Sequence, residues 1–337
     1  MTNILGIDIA QASFTFCMFN PLNKTSTSPL TYSNNQEGFD QLKKWLQHQE
    51  LTPDSLTICL EDTGVYAEAL CYWFATQGFR IAVEPPHKVK RAFQNPAIKS
   101  DALDSRQIAE YGYRFFDQLS YWKPLGPVLE QIKVLLSTRE QFVEHLTAQQ
   151  NSLHMLTWKV VKTPLAEAAI QQTIDHLKEQ IKKIDNAVKD LVSKDPGLGR
   201  ASSLLTSIPG VGLLLASNLL VLTKGFCQQT DPRRLASHLG ICPHPFESGS
   251  SIYRRPRSRH YGHSRIRKLL YLAALSMRTH NPTFKAYFLR KVQEGKSKKL
   301  VLNNIENKMI HIICAVMKSQ QPFISNYKSV NPRLLCA

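Results

Sequence analysis

Four acidic residues carry the clearest chemistry in the sequence. Asp8 lies within an apolar segment, Glu61 ends a second one, and Asp101 and Asp104 are three residues apart. Residues at i and i+3 share one face of a helix, so the two aspartates point the same way. Carboxylate oxygens suit Mg²⁺ or Mn²⁺, and two such ions about 3.5–4 Å apart can hold the attacking and leaving oxygens of a phosphodiester. The four acids therefore predict a metal-dependent phosphodiester site.

Each acid also has a simpler interpretation. Asp8 could be a buried acid with a satisfied hydrogen bond, Glu61 a solvent-exposed strand end, and Asp101 with Asp104 a favourable charge at a helix N-terminus. What favours a common site is the order along the chain: an aspartate in a strand, a glutamate at a strand end, then a helical D-x-x-D.

A serine in the second half of the chain is the other candidate for chemistry. Ser248 lies in the segment F-E-S-G-S-S, beside Gly249 and upstream of seven basic residues. Serine is a weak nucleophile until a base, a metal or a positive field activates it. From residue types alone, a turn serine that makes local hydrogen bonds is the favoured interpretation.

A basic segment surrounds that serine. Nine Lys and Arg residues lie between 233 and 268, against the single acid Glu247. Because Pro256 and Gly262 interrupt it, we expect a loop that grips phosphates. Upstream, S-I-P-G-V-G at 207–212 leads into an apolar helix and is either a phosphate seat or a packing turn. The predicted nucleic-acid contacts are Gly210, Gly212, Arg254, Arg255, Arg257, Arg259, Arg265, Arg267 and Lys268.

The elements that must position these residues follow from hydrophobic periodicity. Strands are predicted over 4–10, 14–19, 29–33, 56–61 and 80–84, with helices over 35–49 and 65–77, in the order βββαβαβ. A basic helix over 87–94 and a helix starting near residue 100 follow. If the fourth strand lies beside the first and the last helix crosses the sheet, the four acids meet.

The rest of the chain reads as helical. Residues 128–193 are predicted to form two antiparallel helices or a coiled-coil arm, and a spacer and a dimer arm fit the pattern equally well. A P-G-L-G linker at 196–199 opens a unit with helices over 211–223, 231–239, 263–279, 282–293 and 300–318. The predicted domains are 1–120, 121–197 and 198–337: an α/β domain, a helical, coiled-coil-like middle, and a mainly α domain.

Composition narrows the class of protein. The 337 residues carry 42 Lys and Arg against 26 Asp and Glu, a net charge of +16, and 43% are hydrophobic. These values exclude disordered and collagen-like chains and favour a nucleic-acid partner, although a ribosomal or membrane-surface role would look similar at the level of charge. Seven scattered cysteines, no secretory leader and no uninterrupted apolar span predict a cytoplasmic protein without a membrane partner. The spacing of His238, His244, His260 and His263 with Cys242 fits no standard zinc site.

Two sets of motifs resemble one family. The segments G-I-D at 6–8, E-D-T-G-V-Y at 61–66 and K-S-D-A-L-D at 99–104 resemble the DEDD transposases of the IS110 family, which includes Piv-type invertases and bridge-RNA-guided recombinases. Two departures are visible: Gln11 to Thr15 lacks a further acid found in many relatives, and Asp62 stands where alanine is common. Segments 207–212, 235–243, 247–249 and 262–271 are similar to the C-terminal domain of that family.

The resemblance implies a fold and a mechanism. It implies a ribonuclease-H-like N-terminal domain of the RuvC type, in which Asp8, Glu61, Asp101 and Asp104 bind Mg²⁺ or Mn²⁺. The S-G serine of the family aligns with Ser248 and joins covalently to DNA, with Ser250 and Ser251 close by. Double-stranded donor and target DNA, a guide RNA, a homodimer that assembles to a homotetramer, and a site in the bacterial cytoplasm at the nucleoid are the further implications.

Three other functions compete with a recombinase. A metal-only junction resolvase or nuclease would use water as the nucleophile and leave Ser248 structural. A non-catalytic nucleic-acid-binding module would not bind Mn²⁺ at the acids. An actin-like sugar kinase also starts with a G-I-D strand, but the later Gly-rich nucleotide motifs are missing from this sequence.

Overall fold

The computed structural model describes residues 2–62, 64–93, 100–226, 231–248, 252–258 and 262–325, and for 244–248, 252 and 254–258 it describes the backbone alone. Contacts divide the chain into two compact units, Met1–Pro124 and Leu125–Ala337. The first is an α/β unit and the second is mainly helical. The predicted α/β N-terminal part and helical C-terminal part are thus confirmed, while the RuvC type of the first unit stays a prediction.

The first unit is built on one mixed sheet. Its strand order is β3-β2-β1-β5-β6, with β4 also paired to β2. Strand β1 pairs antiparallel with β2 and parallel with β5, and β5 pairs parallel with β6. The first and fourth of the predicted strands are neighbours, which is the condition under which the acids were expected to meet, and a two-residue strand is added. The elements are β1 (Asn3–Ile9), β2 (Ser13–Asn20), β3 (Thr25–Ser26), β4 (Leu30–Ser33), α1 (Gln36–His48), β5 (Leu56–Glu61), α2 (Val65–Thr76), β6 (Arg80–Glu84), α3 (Pro86–Ala92) and α4 (Asp101–Arg114).

Alternation along the strands gives this sheet two buried faces. Leu5 and Ile7 of β1 pack in one cluster with Leu42 of α1 and Leu70 of α2. Ile4, on the other face, packs in a second cluster with residues of α4. Because successive side chains of a strand point to opposite faces, Asp8 lies on the face that α4 covers.

The second unit begins with a helical hairpin. Helices α5 and α6, 31 residues each, pack side by side, and Arg139 of α5 bridges to Asp185 of α6 at 2.6 Å. The remaining helices bury a single apolar cluster that includes Leu219 and Ile313. The elements are α5 (Pro127–Thr157), α6 (Pro164–Lys194), α7 (Pro196–Thr206), α8 (Leu213–Leu222), α9 (Pro232–His238), β7 (Pro243–Ser248), β8 (Ile252–Ser258), α10 (Ser264–His280), α11 (Pro282–Gln293) and α12 (Lys298–Ser319).

Two local predictions for the second unit are wrong. Residues 196–199 are the first turn of α7: Pro196 takes the first helical position, and the Asp195 side chain accepts a hydrogen bond from the Leu198 N–H at 2.9 Å. Proline at that position needs no amide partner, so it starts a helix as readily as it marks a linker.

The basic segment, predicted as a loop, is a β-hairpin. Strands β7 and β8 pair antiparallel, and Pro256 falls where the register shifts between His244 and Phe246.

No helix within the described ranges is both long enough and apolar enough to cross a bilayer.

Candidate active site

Two neighbouring strands bring the first pair of acids together. In the parallel pair of β1 and β5, Gly6 is opposite Cys59 and Ile7 is opposite Leu60, so the next residues in register are Asp8 and Glu61. Both lie at the carboxyl ends of their strands and both are partly buried. The flanking residues Ile7 and Ile9 are buried on the opposite face, which fixes the direction of Asp8.

Helix α4 is held against these strands by glycine. A Cβ at Gly6 would fall on the backbone of Ser105 and Ala109, and a Cβ at Gly112 would lie 2.8 Å from the Ile4 side chain. The helix backbone therefore lies directly on β1, and its first turn extends toward Asp8. The Ser100 hydroxyl caps that turn by accepting from the Leu103 N–H.

The two aspartates of α4 lie on its sheet-facing side. Asp101 is one turn before Ser105, and Asp104 is one turn before Ile108. Ser105 and Ile108 are both buried, so residues four positions earlier share their face. Asp104 is partly buried and Asp101 is exposed. We call Asp8, Glu61, Asp101 and Asp104 the carboxylate edge.

The carboxylate edge is an open arrangement. Across the described part of the chain, no three His, Cys, Asp or Glu side chains converge closely enough to hold a metal ion. The donor set nevertheless fits Mg²⁺ or Mn²⁺, because it consists of oxygens only. Mg²⁺ keeps several of its waters and commonly takes one or two protein carboxylates together with substrate phosphate oxygens.

Residues that the sequence analysis did not single out support this edge. Glu84, opposite Glu61 in the β5–β6 register, is fully buried. Its carboxylate accepts from Lys88 Nζ at 2.9 Å and from the Ser120 N–H at 2.8 Å. Its carbonyl oxygen accepts from the Asp62 N–H. The contact with Asp62 fixes the chain immediately after Glu61. Because the contacts of Glu84 with Asp62 and Ser120 join residues distant in sequence, no local pattern reveals them.

Asp62, the departure from the common family pattern, has a structural role. Its Oδ1 accepts from the Gly64 N–H at 3.2 Å, and Gly64 has a φ of +73°. Aspartate commonly closes a turn in this way. The side chain therefore shapes the connection from β5 to α2 immediately after Glu61.

The cysteines close to this edge are poor nucleophiles. Burial, together with the nearby charges of Glu84 and Glu61, strongly raises the pKa of Cys59. Burial also raises the pKa of Cys71 to about 12. A thiol is reactive as the thiolate, so a raised pKa keeps both side chains protonated and inert.

The candidate nucleophile belongs to the second unit. Ser248 is the last residue of β7 and pairs in register with Ile252 of β8. Its side chain lies outside what the structure describes, as do Gly249, Ser250 and Ser251. The structure also does not describe the side chains of Arg254, Arg255 and Arg257, and Arg259 lies outside the described residues.

The predicted basic contacts on α10 differ from one another. Arg265 is used within the protein: its guanidinium donates to the Leu136 carbonyl and lies 3.6 Å from Glu140 Oε2, and burial lowers its pKa. Lys268 Nζ lies 3.9 Å from Glu140 but is well exposed. Arg267 is partly buried and lines a cavity. Of the three, Lys268 and Arg267 can reach a ligand.

The glycines of the 207–212 turn also differ. Gly210 has a φ of +85°, and a Cβ there would collide with the Ala273 carbonyl of α10. The backbone conformation at residue 210 and the close packing of this turn against α10 therefore account for glycine at this position. Gly212 caps α8 and has no atom within 4 Å of its Cβ position, so a phosphate can approach it.

Two histidines meet at the base of the β7–β8 hairpin. The rings of His238 and His263 have centroids 5.0 Å apart. Desolvation, with a contribution from His238, lowers the pKa of His263. His244 lies where only the backbone is described, and His260 lies outside the described residues.

Family models match the two halves of the chain in order. A transposase model of the DEDD IS110 type matches residues 5–157, and a model described as transposase of the IS116/IS110/IS902 family matches residues 202–289. The first match contains all four residues of the carboxylate edge. The second contains Ser248.

Curated relatives agree with these matches. The chain is 27% identical over 322 residues to the pilin gene-inverting protein of Moraxella lacunata, covering 95% of this chain and 97% of the relative. The pilin gene-inverting protein of Moraxella bovis matches to the same extent. An uncharacterized 44.8 kDa protein of insertion element IS116 from Streptomyces clavuligerus is 25% identical over 147 residues, which is 44% of this chain and 36% of the relative.

Proposed function

The chain belongs to the IS110 family of transposases, and from this membership we propose that it is a DNA recombinase that cuts and rejoins double-stranded donor and target DNA. The observation that carries the proposal is the close seating of α4 on β1 at Gly6. It directs Asp101 and Asp104 toward the strand ends that carry Asp8 and Glu61. Carboxylate oxygens presented along one edge are a ligand set that suits phosphodiester chemistry with divalent ions.

The carboxylate edge would hold Mg²⁺ or Mn²⁺ through Asp8, Glu61, Asp101 and Asp104. When bound, the ion supplies charge stabilisation to the phosphate and to the departing oxygen. The protein's own contribution is position: Gly6 fixes the helix, Glu84 fixes the chain around Glu61, and Ser100 caps the turn of the aspartates.

Ser248 would be the nucleophile. Its hydroxyl loses a proton, its oxygen forms a bond to phosphorus, and the bond from phosphorus to one sugar oxygen breaks and that oxygen takes up a proton. A hydroxyl of another DNA end then loses its proton and bonds to phosphorus. The bond from phosphorus to the serine oxygen breaks, that oxygen takes up a proton, and the strand is rejoined. Two observations support this role. Ser248 is the last residue of β7, in a hairpin whose other strand carries Arg254, Arg255 and Arg257, and the second family model matches across it.

The partners complete the proposal. A net charge of +16 suits a guide RNA as well as DNA, because both present the same phosphate backbone. The α5–α6 hairpin would serve as the arm through which homodimers form and pair into a homotetramer. With DNA as its substrate, the protein would work at the bacterial nucleoid.

The test is a search for DNA covalently joined to protein. The purified protein is incubated with Mg²⁺, its co-purifying RNA and end-labelled DNA that carries the flanks of its own gene, and then denatured. We expect label to migrate with the protein, to vanish in Ser248→Ala and to persist in Ser250→Ala. Asp8→Ala should still bind DNA but form no adduct.

Three other outcomes would change or refute this assignment. Cleaved DNA without any protein adduct would indicate a metal-only nuclease in which water attacks. Full recombination by Ser248→Ala or Asp8→Ala would refute the assignment of the site. Adduct loss in Ser250→Ala with none in Ser248→Ala would move the nucleophile within the hairpin.

A further inference from the structure

A cavity in the second unit is lined in part by Arg267 and Lys268, the two basic residues of α10 that can reach a ligand. It has a volume of about 680 Å³ and lies between α10 and α12, with Pro243 of β7 in its wall. Cavities of about 300–1,000 Å³ hold small organic ligands, so a nucleotide fits. The lining residues that matter here are Arg267, Lys268, Tyr271, Lys299, Asn303 and Glu306.

Three of these residues make the cavity positive. Arg267 and Lys268 come from α10, and Lys299 comes from the first turn of α12. Glu306 lies close enough to Arg267 to interact with its charge, but burial disfavours the ionised carboxylate, so it offsets the three positive charges only in part. Lysine at a helix N-terminus opposes the helix dipole, so the position of Lys299 costs stability unless an anion offsets it. The charge pattern favours a phosphate.

The other three residues suit a base. Tyr271 offers a ring that is more than a third exposed. Asn303 Nδ2 donates to the Ile241 carbonyl at 3.1 Å, which fixes the amide and leaves its Oδ1 as an acceptor. Glu306 is only 4% exposed, so a carboxyl group that would otherwise be solvated lies in the wall of the cavity. An aromatic ring beside amide and carboxyl groups is how proteins read an unstacked base.

We propose that this cavity binds one unpaired nucleotide of a nucleic-acid strand, with its phosphate on Arg267, Lys268 and Lys299 and its base on Tyr271, Asn303 and Glu306. A duplex keeps its bases stacked and paired, so only a single-stranded segment can enter. The inference rests on the proposed function, because strand exchange is what supplies unpaired nucleotides.

The location relates the cavity to the candidate nucleophile. Pro243 in the cavity wall is the first residue of β7 and Ser248 is its last. Five steps of about 3.3 Å each give a separation of at most about 17 Å between the two residues. A nucleotide in the cavity would therefore anchor the strand a few nucleotides from the reacting phosphate.

The experiment measures binding of fluorescent oligonucleotides to the full-length protein by anisotropy. The probes are a short single strand of DNA, the RNA of the same sequence, the DNA duplex, and a single strand with abasic sugars. We expect Tyr271→Leu to weaken binding of the base-carrying single strands about five-fold or more and to leave duplex binding unchanged. Tyr271→Phe, which keeps the ring, should restore binding.

Two comparisons distinguish recognition of the base from recognition of the phosphate. Wild type should prefer the base-carrying strand to the abasic one, and Tyr271→Leu should bind both equally. Lys299→Ala should weaken all single strands at least about three-fold more than Lys298→Ala, a matched control that removes the same charge from the neighbouring position outside the cavity lining. Tighter binding of RNA would assign the cavity to a guide, and tighter binding of DNA to the substrate.

The failure of this inference is distinguishable from the failure of the proposed function. Wild type could bind nucleic acid while Tyr271→Leu and Lys299→Ala show the same affinities as Lys298→Ala. That result would refute the nucleotide site and leave the proposed recombinase function standing. If wild type binds none of the probes, both are refuted.

Discussion

Asp8 and Asp104 are the two members of the carboxylate edge with the most clearly determined surroundings. Asp8 is fixed by the buried residues on either side of it in β1, and Asp104 by the turn of α4 that contacts the sheet. We expect Asp8→Asn and Asp104→Asn each to weaken Mn²⁺ binding by about ten-fold or more, because each removes a charged oxygen ligand. Calorimetric titration with Mn²⁺ measures the effect.

The control for that titration lies at the opposite edge of the same sheet. Asp54 is exposed just before β5 begins, so Asp54→Asn makes the same chemical change at the amino ends of the strands. It should leave Mn²⁺ affinity unchanged. Equal affinities in all three variants would show that the carboxylate edge does not bind the metal.

Glu306 makes stability depend on pH. Burial raises its pKa from 4.5 to about 7, and Arg267 only partly opposes that shift. The folded protein therefore holds this proton more tightly than the unfolded chain does, and the stabilisation present at low pH is lost as pH rises from about 5 to about 8. In Glu306→Gln that loss, about 2 kcal/mol after allowance for solvent screening, should disappear.

Urea unfolding at pH 5.5 and pH 8 measures this, since the difference between the two proteins cancels the titration of all other groups. Wild type should lose more stability than Glu306→Gln over that interval. Identical pH slopes in the two proteins would contradict a raised pKa for Glu306.

The close packing of α4 on β1 sets the position of the first turn of α4, which carries Asp101 and Asp104. In Gly6→Ala the new methyl group would meet the backbone of Ser105 and Ala109, which cannot move without shifting the helix. Overpacking of this kind costs about 1–3 kcal/mol. We expect lower stability and, because the first turn of α4 moves with the helix, weaker Mn²⁺ binding.

Gly126→Ala is the matched control, because nothing lies within 4 Å of its Cβ position at the start of α5. Thermal unfolding and Mn²⁺ titration of both variants decide the matter. A Gly6→Ala protein with wild-type stability and affinity would mean that α4 does not depend on this contact.

Periodicity and local order predicted most of the elements. The strands of the first unit and the neighbours β1 and β5 were predictable because an α/β alternation leaves few topologies, and the two long helices because their apolar residues repeat at helical spacing. The segment 196–199 was misread as a linker because proline and glycine mark both linkers and helix starts. The β7–β8 hairpin was missed because Pro256 sits at an irregularity of the register, where a strand tolerates it.

Contacts between residues far apart in the chain could not be predicted from local sequence patterns. Glu84 appears in the sequence as one more strand-end acid, and only the fold shows that the Ser120 N–H donates to its carboxylate. Arg265 looked like its neighbours until the structure placed Leu136 and Glu140 of α5 beside it. Both depend on partners that the sequence does not connect.

The residues proposed for the chemistry are divided between the two units. The carboxylate edge belongs to Met1–Pro124, and Ser248 belongs to Leu125–Ala337. Sites divided in this way are compatible with assembly between copies, and the α5–α6 hairpin offers a surface for it. At the end of that hairpin Trp158 is 77% exposed and Val160 is 96% exposed, with Met155, Val161 and Leu165 also exposed.

A cluster of exposed apolar side chains costs solubility in a lone monomer and commonly marks a contact surface. We expect the double variant Trp158→Ser, Val161→Ser to have a lower mass than wild type by light scattering, because self-association would lose its apolar contact. Lys159→Ser, in the same connection between α5 and α6, should keep the wild-type mass. The double variant should still bind oligonucleotides but lose strand exchange, because in the proposed assembly one chain suffices for binding and exchange uses several copies. An unchanged mass together with full exchange would assign the hairpin the role of a spacer.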